Sequence, residues 1–158
     1  MVKRNIFNIL IVLSIFTIDR ATKLIMIRAA ETNYDLNILV TPFLNLNLIW
    51  NDGIAFGLFS FNEKVYYNLI TFIIFAITLI IIFFMLRSKG LEKIGFLMII
   101  GGSMGNLFDR LYYSSVPDFI DFHYNNFHWF IFNVADIFIS LGVIVLLILE
   151  IFLKKINE

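Results

Sequence analysis

Four apolar runs constrain this chain more than any other feature. They cover residues 6–27, 66–86, 91–111 and 130–153. A run of about 20 residues at 1.5 Å per residue crosses a hydrocarbon core of about 30 Å. In lipid the backbone must satisfy its own hydrogen bonds, so helix is the expected form of each. The 158 residues are 60% hydrophobic, well above the level of about 45–50% in soluble domains. The predicted fold class is therefore an integral membrane all-α protein. It has four transmembrane helices in a single domain over residues 1–158, and a small β-containing extracytoplasmic segment between spans 1 and 2.

Charge placement orients these spans. Lys3 and Arg4 precede the first, Arg87, Lys89 and Lys93 surround the join between the second and third, and Lys154 and Lys155 follow the fourth. Four crossings put all three groups on one side, which is read as cytoplasmic, with both termini. A cleaved leader is the competing reading of residues 6–27, with small residues at Ala29 and Ala30. The charged stretch Asp19-Arg20-Ala21-Thr22-Lys23 argues against it. The outer segments are then 28–65 and 112–129. In the first, Leu44-Asn45-Leu46-Asn47-Leu48 alternates strictly, which predicts a strand. The second is rich in Tyr, Phe, His and Trp and reads as an interfacial loop.

Ionisable residues inside spans are costly and mark candidate sites. Here they share one depth. Asp19 and Lys23 lie late in the outward-running first span. Asn106, Asp109 and Arg110 end the outward-running third span, and Asn133 and Asp136 open the inward-running fourth. Spacings of three and four give each span one polar stripe, and three stripes at equal depth can converge. Asp118 sits in the outer loop. Anchoring at the headgroups would account for Arg20, Arg28 and Arg110 taken singly, but the short Asp109 and Asp136 side chains cannot reach that far. Gly101 and Gly105 form a small-xxx-small pair suited to close helix packing. A phosphate loop would need a preceding strand and a Lys, both missing here.

The residue types narrow the chemistry. No Cys is present and both His lie in one loop (His123, His128), so thiolate catalysis and a metal site are not expected. Twelve basic residues balance twelve acidic ones, which gives no sign of a nucleic-acid partner. Carboxylates remain as the acid–base groups. Two held close share a proton, and such a pair can activate water and protonate a departing amide nitrogen. Spacing alone leaves the choice of pair open. A Ser–Lys dyad from Ser14 or Ser103 with Lys23 leaves the carboxylates without a role. A small proton-coupled membrane transporter is the alternative from another class. Its relay should reach both faces, whereas these charges stop at one. An assembly or anchor protein without catalysis is a further alternative.

Four stretches, taken in order, resemble lipoprotein signal peptidase, also called signal peptidase II. They are Asp19 to Lys23, Asn51-Asp52-Gly53-Ile54-Ala55-Phe56, Gly101 to Arg110 (GGSMGNLFDR) with Val116-Pro117-Asp118-Phe119-Ile120, and Phe132-Asn133-Val134-Ala135-Asp136. The resemblance implies an aspartyl endopeptidase with Asp118 and Asp136 as the catalytic pair. Asp19, Lys23, Asn51, Asn106, Asp109, Arg110 and Asn133 fall at positions that shape the site or contact substrate. It also implies removal of the signal peptide from diacylglyceryl-modified prolipoproteins before the lipidated Cys, without metal or cofactor. Location in the bacterial inner membrane among its lipids, and inhibition by globomycin-type cyclic peptides, are implied in the same way. Nothing in the sequence demands more than a monomer. Arg20 departs from the resemblance, standing where many members carry Gln. Pro117 before Asp118 is a second departure, and it restricts Val116 to extended conformations.

Overall fold

The computed structural model describes residues 2–32, 37–53, 64–125 and 127–157. The chain runs α1 (Val2–Thr32), β1 (Asn37–Thr41), β2 (Leu44–Asn51), α2 (Lys64–Arg87), α3 (Gly90–Tyr113), β3 (Val116–Tyr124), β4 (Phe127–Phe132) and α4 (Val134–Asn157). Each apolar run is helical over most of its length. Two helical stretches, Tyr67–Arg87 and Val134–Phe152, are long and apolar enough to cross a membrane. The last three residues of the Asn51–Phe56 stretch lie outside the described residues, as do 33–36 and 57–63 of the first outer segment.

Helix α3 is central and packs on α1, α2 and α4. Glycines make this possible. A Cβ at Gly101 would come 2.8 Å from Ile15, and one at Gly105 would come 2.5 Å from the Asp19 carboxylate. The expected small-xxx-small stripe thus faces α1. On another face of α3, a Cβ at Gly102 would lie 2.5 Å from the Ala135 carbonyl of α4. Large apolar side chains such as Phe72, Leu86, Ile25 and Leu147 remain exposed on the outward faces of the helices, the reverse of a soluble bundle.

The four strands form one antiparallel sheet in the order β1-β2-β3-β4. Leu44 to Leu48 are in strand conformation as the alternation predicts. The sheet is nevertheless not confined to the segment between the first two helices. The region read as a loop supplies β3 and β4, so Asp118 is a strand residue. The fourth helix begins at Val134 rather than at residue 130. An apolar triplet such as Phe130-Ile131-Phe132 has no period that separates strand from buried helix. Pairing decides it: Phe130, Ile131 and Phe132 lie opposite Phe122, Asp121 and Ile120. Phe119 and Met26 form a small core that ties β3 to α1.

Candidate functional site

The start of α4 positions the first carboxylate. Asn133 Oδ1 accepts from the Asp136 amide at 3.1 Å, and Asp136 Oδ2 accepts from the Asn133 amide at 3.1 Å. This reciprocal cap satisfies two amides at a helix N-terminus that would otherwise lack partners. It also fixes Asp136 with its other oxygen, Oδ1, turned to the Asn106 amide, which donates at 2.8 Å.

The second carboxylate arrives on β3. Its neighbour β2 changes register between Leu46 and Ile49, after which Ile49 lies opposite Asp118 and Asn51 opposite Val116. Asn51 Nδ2 then donates to Asp118 Oδ2 at 2.8 Å, and Asn133 Nδ2 donates to Asp118 Oδ1 at 2.6 Å. Asn133 therefore touches both acids, the Asp118 carboxylate through its amide nitrogen and the Asp136 backbone through its carbonyl oxygen. Burial, and after it the nearby Asp136 charge, push Asp118 up to about 7, against the opposing hydrogen bonds from the two asparagines. Both acids line a cavity of about 350 Å³. Its walls are Ile74, Ile77 and Ile81 of α2, Ile99 of α3, and Ile139 and Val143 of α4, with Arg110 and Asn51 at the polar end.

Behind this pair lies a buried ionic cluster. Lys23 Nζ donates to Asp19 Oδ2 at 2.8 Å, Asn106 Oδ1 at 2.9 Å and Asp109 Oδ2 at 2.6 Å. An ammonium has three donors, and all three are used. Asp19 Oδ1 accepts from the Ala135 amide at 2.9 Å, which ties α1 to the first turn of α4. Arg20 pairs with Asp109 Oδ1, and Arg110 donates to the Gly53 carbonyl. Arg110 Nε and Nη1 are buried without a hydrogen-bond partner among the described residues.

All nine residues singled out in the sequence thus fall in one connected region. Asp118, Asp136, Asn51, Asn106, Asn133 and Arg110 line the cavity, while Asp19, Lys23 and Asp109 support it from behind. Arg20 and Arg110 are not headgroup anchors: they are buried, at 9% and 5% exposure. Arg20 also belongs to the cluster, although no sequence argument assigned it a role. The available signal was its position inside an apolar run, where a charge needs a partner. Asp121 was missed. It is buried on β3 and engages His128 Nδ1 at 2.8 Å, outside the residues that line the cavity. Among the described residues no three His, Asp or Glu side chains are grouped as metal ligands.

Helices packed around a four-stranded antiparallel sheet form a fold shared with solved bacterial membrane enzymes. One solved structure, described as a bacterial membrane enzyme determined by the in meso method, matches with a TM-score of 0.77 and 28% identity. The match covers 96% of this chain and 91% of that one. Another so described matches with a TM-score of 0.71 and 28% identity, over 91% and 92%. Residues 11–153 match the family described as Signal peptidase (SPase) II. The chain is 51% identical to the lipoprotein signal peptidase of Pelagibacter ubique, over 99% of this chain and 95% of that protein. It is 41% identical to the one from Wigglesworthia glossinidia brevipalpis, over 87% and 90%. The chain belongs to the signal peptidase II family and is a peptidase.

Proposed function

We propose that the chain is an aspartyl endopeptidase that removes the signal peptide from diacylglyceryl-modified prolipoproteins, cutting before the lipidated Cys, with Asp118 and Asp136 as its catalytic pair. One observation carries the reading: Asn133 holds both acids on a single cavity.

Charge balance supports a shared proton. Among the described residues, the cations Arg20, Lys23 and Arg110 stand with four carboxylates, Asp19, Asp109, Asp118 and Asp136. One proton on the Asp118/Asp136 pair makes the group neutral, which a medium of low dielectric favours. The ionised acid takes a proton from water as the water oxygen attacks the scissile carbonyl carbon. The protonated acid gives its proton to the carbonyl oxygen. The tetrahedral diol then collapses as a proton passes to the amide nitrogen and the C–N bond breaks. No covalent intermediate and no cofactor are required. The Arg110 nitrogens that lack a partner among the described residues are suited to hold substrate carbonyls. The isoleucine walls suit the apolar helix of a signal peptide.

Location fits the same chemistry. Four crossings with both termini cytoplasmic place the polar cluster near the outer leaflet of the bacterial inner membrane. A diacylglyceryl-modified Cys presents its peptide bond at that depth, with its acyl chains in the surrounding lipid. The chain acts as a monomer, and globomycin-type cyclic peptides occupy its cavity as inhibitors.

The test is cleavage of lipid-modified prolipoprotein by the purified protein in detergent, with unlipidated precursor as control. Asp118→Asn and Asp136→Asn should each lower the rate at least about 100-fold. Undiminished cleavage by either variant removes the pair assignment. Inactivity of the wild type under conditions where a known signal peptidase II cuts removes the enzyme reading, and a proton-coupled carrier becomes the reading to test.

A further inference from the structure

Arg20 enters the chemistry above only through its charge, yet it is buried and specifically held. Its guanidinium pairs with Asp109 Oδ1. It lies 4.8 Å from the Phe108 ring centroid and 5.7 Å from that of Tyr113, and Nη2 donates to Tyr113 Oη at 3.4 Å. A planar cation that packs on two rings and pairs with a carboxylate suits Arg better than Lys.

We propose that Arg20 is a positioning residue for the peptidase, one that fixes the orientation of the Asn106 amide against Asp136 by occupying one oxygen of Asp109. The proposal rests on the aspartyl reading above. Its logic follows the donors. With Oδ1 of Asp109 taken by Arg20, Lys23 meets only Oδ2, at 2.6 Å. Its remaining donors then reach Asp19 and the Asn106 carbonyl oxygen. Lys has no acceptor, so Asn106 must turn its oxygen to Lys23 and its NH₂ to Asp136 Oδ1, as it does at 2.8 Å. The amide is locked at both ends.

Removing Arg20 strands a negative charge on Asp109. Lys23 becomes the one cation shared by Asp19 and Asp109 and is drawn away from Asn106. The amide is then free to turn its oxygen toward Asp136, where two acceptors repel. The charged groups that act on Asp109 are Lys23, Arg20 and Asp19, all on α1; Lys23 and Asp19 also act on Asp136, and Lys23 on Asp118. The net change on losing Arg20 is one more negative charge near the pair, which strengthens its hold on a proton.

The test compares Arg20→Leu, Arg20→Lys and the double variant Arg20→Leu/Asp109→Asn with wild type in the lipidated-substrate assay across pH. Arg20 does not line the cavity, so the effect should fall on kcat. Arg20→Leu should lower kcat by about 10- to 100-fold with KM nearly unchanged. Its pH–kcat profile should move up by about one unit. Adding Asp109→Asn removes the stranded charge and should restore about tenfold of kcat. Arg20→Lys, which keeps the charge and loses the fork and the stacking, should lie between wild type and Arg20→Leu in both readouts. It serves as the deciding variant should Arg20→Leu not fold. A merely structural role predicts a loss that is equal at all pH values and not relieved by Asp109→Asn. Such a result overturns the proposal, as does wild-type kcat and an unmoved profile in the folded variants. If Asp118→Asn and Asp136→Asn abolish cleavage while Arg20 variants are silent, this inference alone fails. If those Asn variants cut normally, the aspartyl reading fails first.

Discussion

Gly102→Ala tests whether the spacing of α3 and α4 sets the geometry of the acids. An added Cβ would lie 2.5 Å from the Ala135 carbonyl oxygen and 2.8 Å from Ile139 Cγ1. The first obstacle is backbone and cannot swing aside. To regain a contact of about 3.4 Å, the helices must part locally by roughly 0.9 Å. Ala135 directly precedes Asp136, and Gly102 sits one turn before Asn106. The same separation stretches the Asn106–Asp136 hydrogen bond from 2.8 Å past the limit of about 3.5 Å. Overpacking should cost about 1–3 kcal/mol of stability. The weakened hydrogen bond to a carboxylate should cost a further ~1.5–3 kcal/mol, which at the catalytic step is a loss of about 10- to 100-fold in rate. The assay is cleavage of lipidated prolipoprotein by purified variants, with a thermal unfolding scan alongside. Gly90→Ala is the control. Its φ of 58° disfavours a side chain but the Cβ meets open space, so stability should fall by about 1 kcal/mol with cleavage unchanged. Cleavage by Gly102→Ala within about twofold of wild type would refute the argument that this helix contact positions the pair.

The site and the topology set further outcomes. Asp118 is held near 7, so cleavage should decline as pH rises through that value and the pair loses its proton. Asn51 favours the charged form, so Asn51→Ala should carry the alkaline limb to higher pH; a downward move contradicts the assignment. The same raised value means the folded chain holds a proton that the unfolded chain releases near 3.8, so stability should decrease between roughly pH 4 and 7. Urea titrations of the detergent-solubilised protein measure this. Lys23→Met leaves Asp19 and Asp109 with Arg20 alone and should destabilise the fold by about 3–5 kcal/mol, seen as a lowered Tm; an unchanged Tm means the cluster is not an energetic unit. A reporter fused after Leu111 should read out on the external side, and a cytoplasmic signal reverses the orientation.

Much of the site was legible because its residues break a local rule. Asp19, Lys23, Asp109 and Asp136 are charges inside apolar runs, and helical spacing puts each set on one face. Gly101 and Gly105 signalled close packing for the same reason, since a four-residue spacing is a property of neighbouring turns. Asp118 had no such signal. It lies in a segment whose aromatic composition suits a loop as well as a strand, and only the resemblance singled it out.

What the amino-acid sequence determined by itself was the set of helices and the alternating strand Leu44–Leu48, because 3.6- and 2-residue periods are written along the chain. Only the tertiary structure decided that the sheet draws β3 and β4 from the second segment, that α4 begins at Val134, and that Arg20 belongs to Asp109. Each depends on a partner far away: Asn51 meets Asp118 through a shifted strand register, and Arg20 meets Asp109 across two helices that glycines allow to touch. Three carboxylates at one depth, Asp19, Asp109 and Asp136, could be read from spacing. Which two face a common cavity was settled by register and helix contact, and neither is encoded in any single stretch of chain.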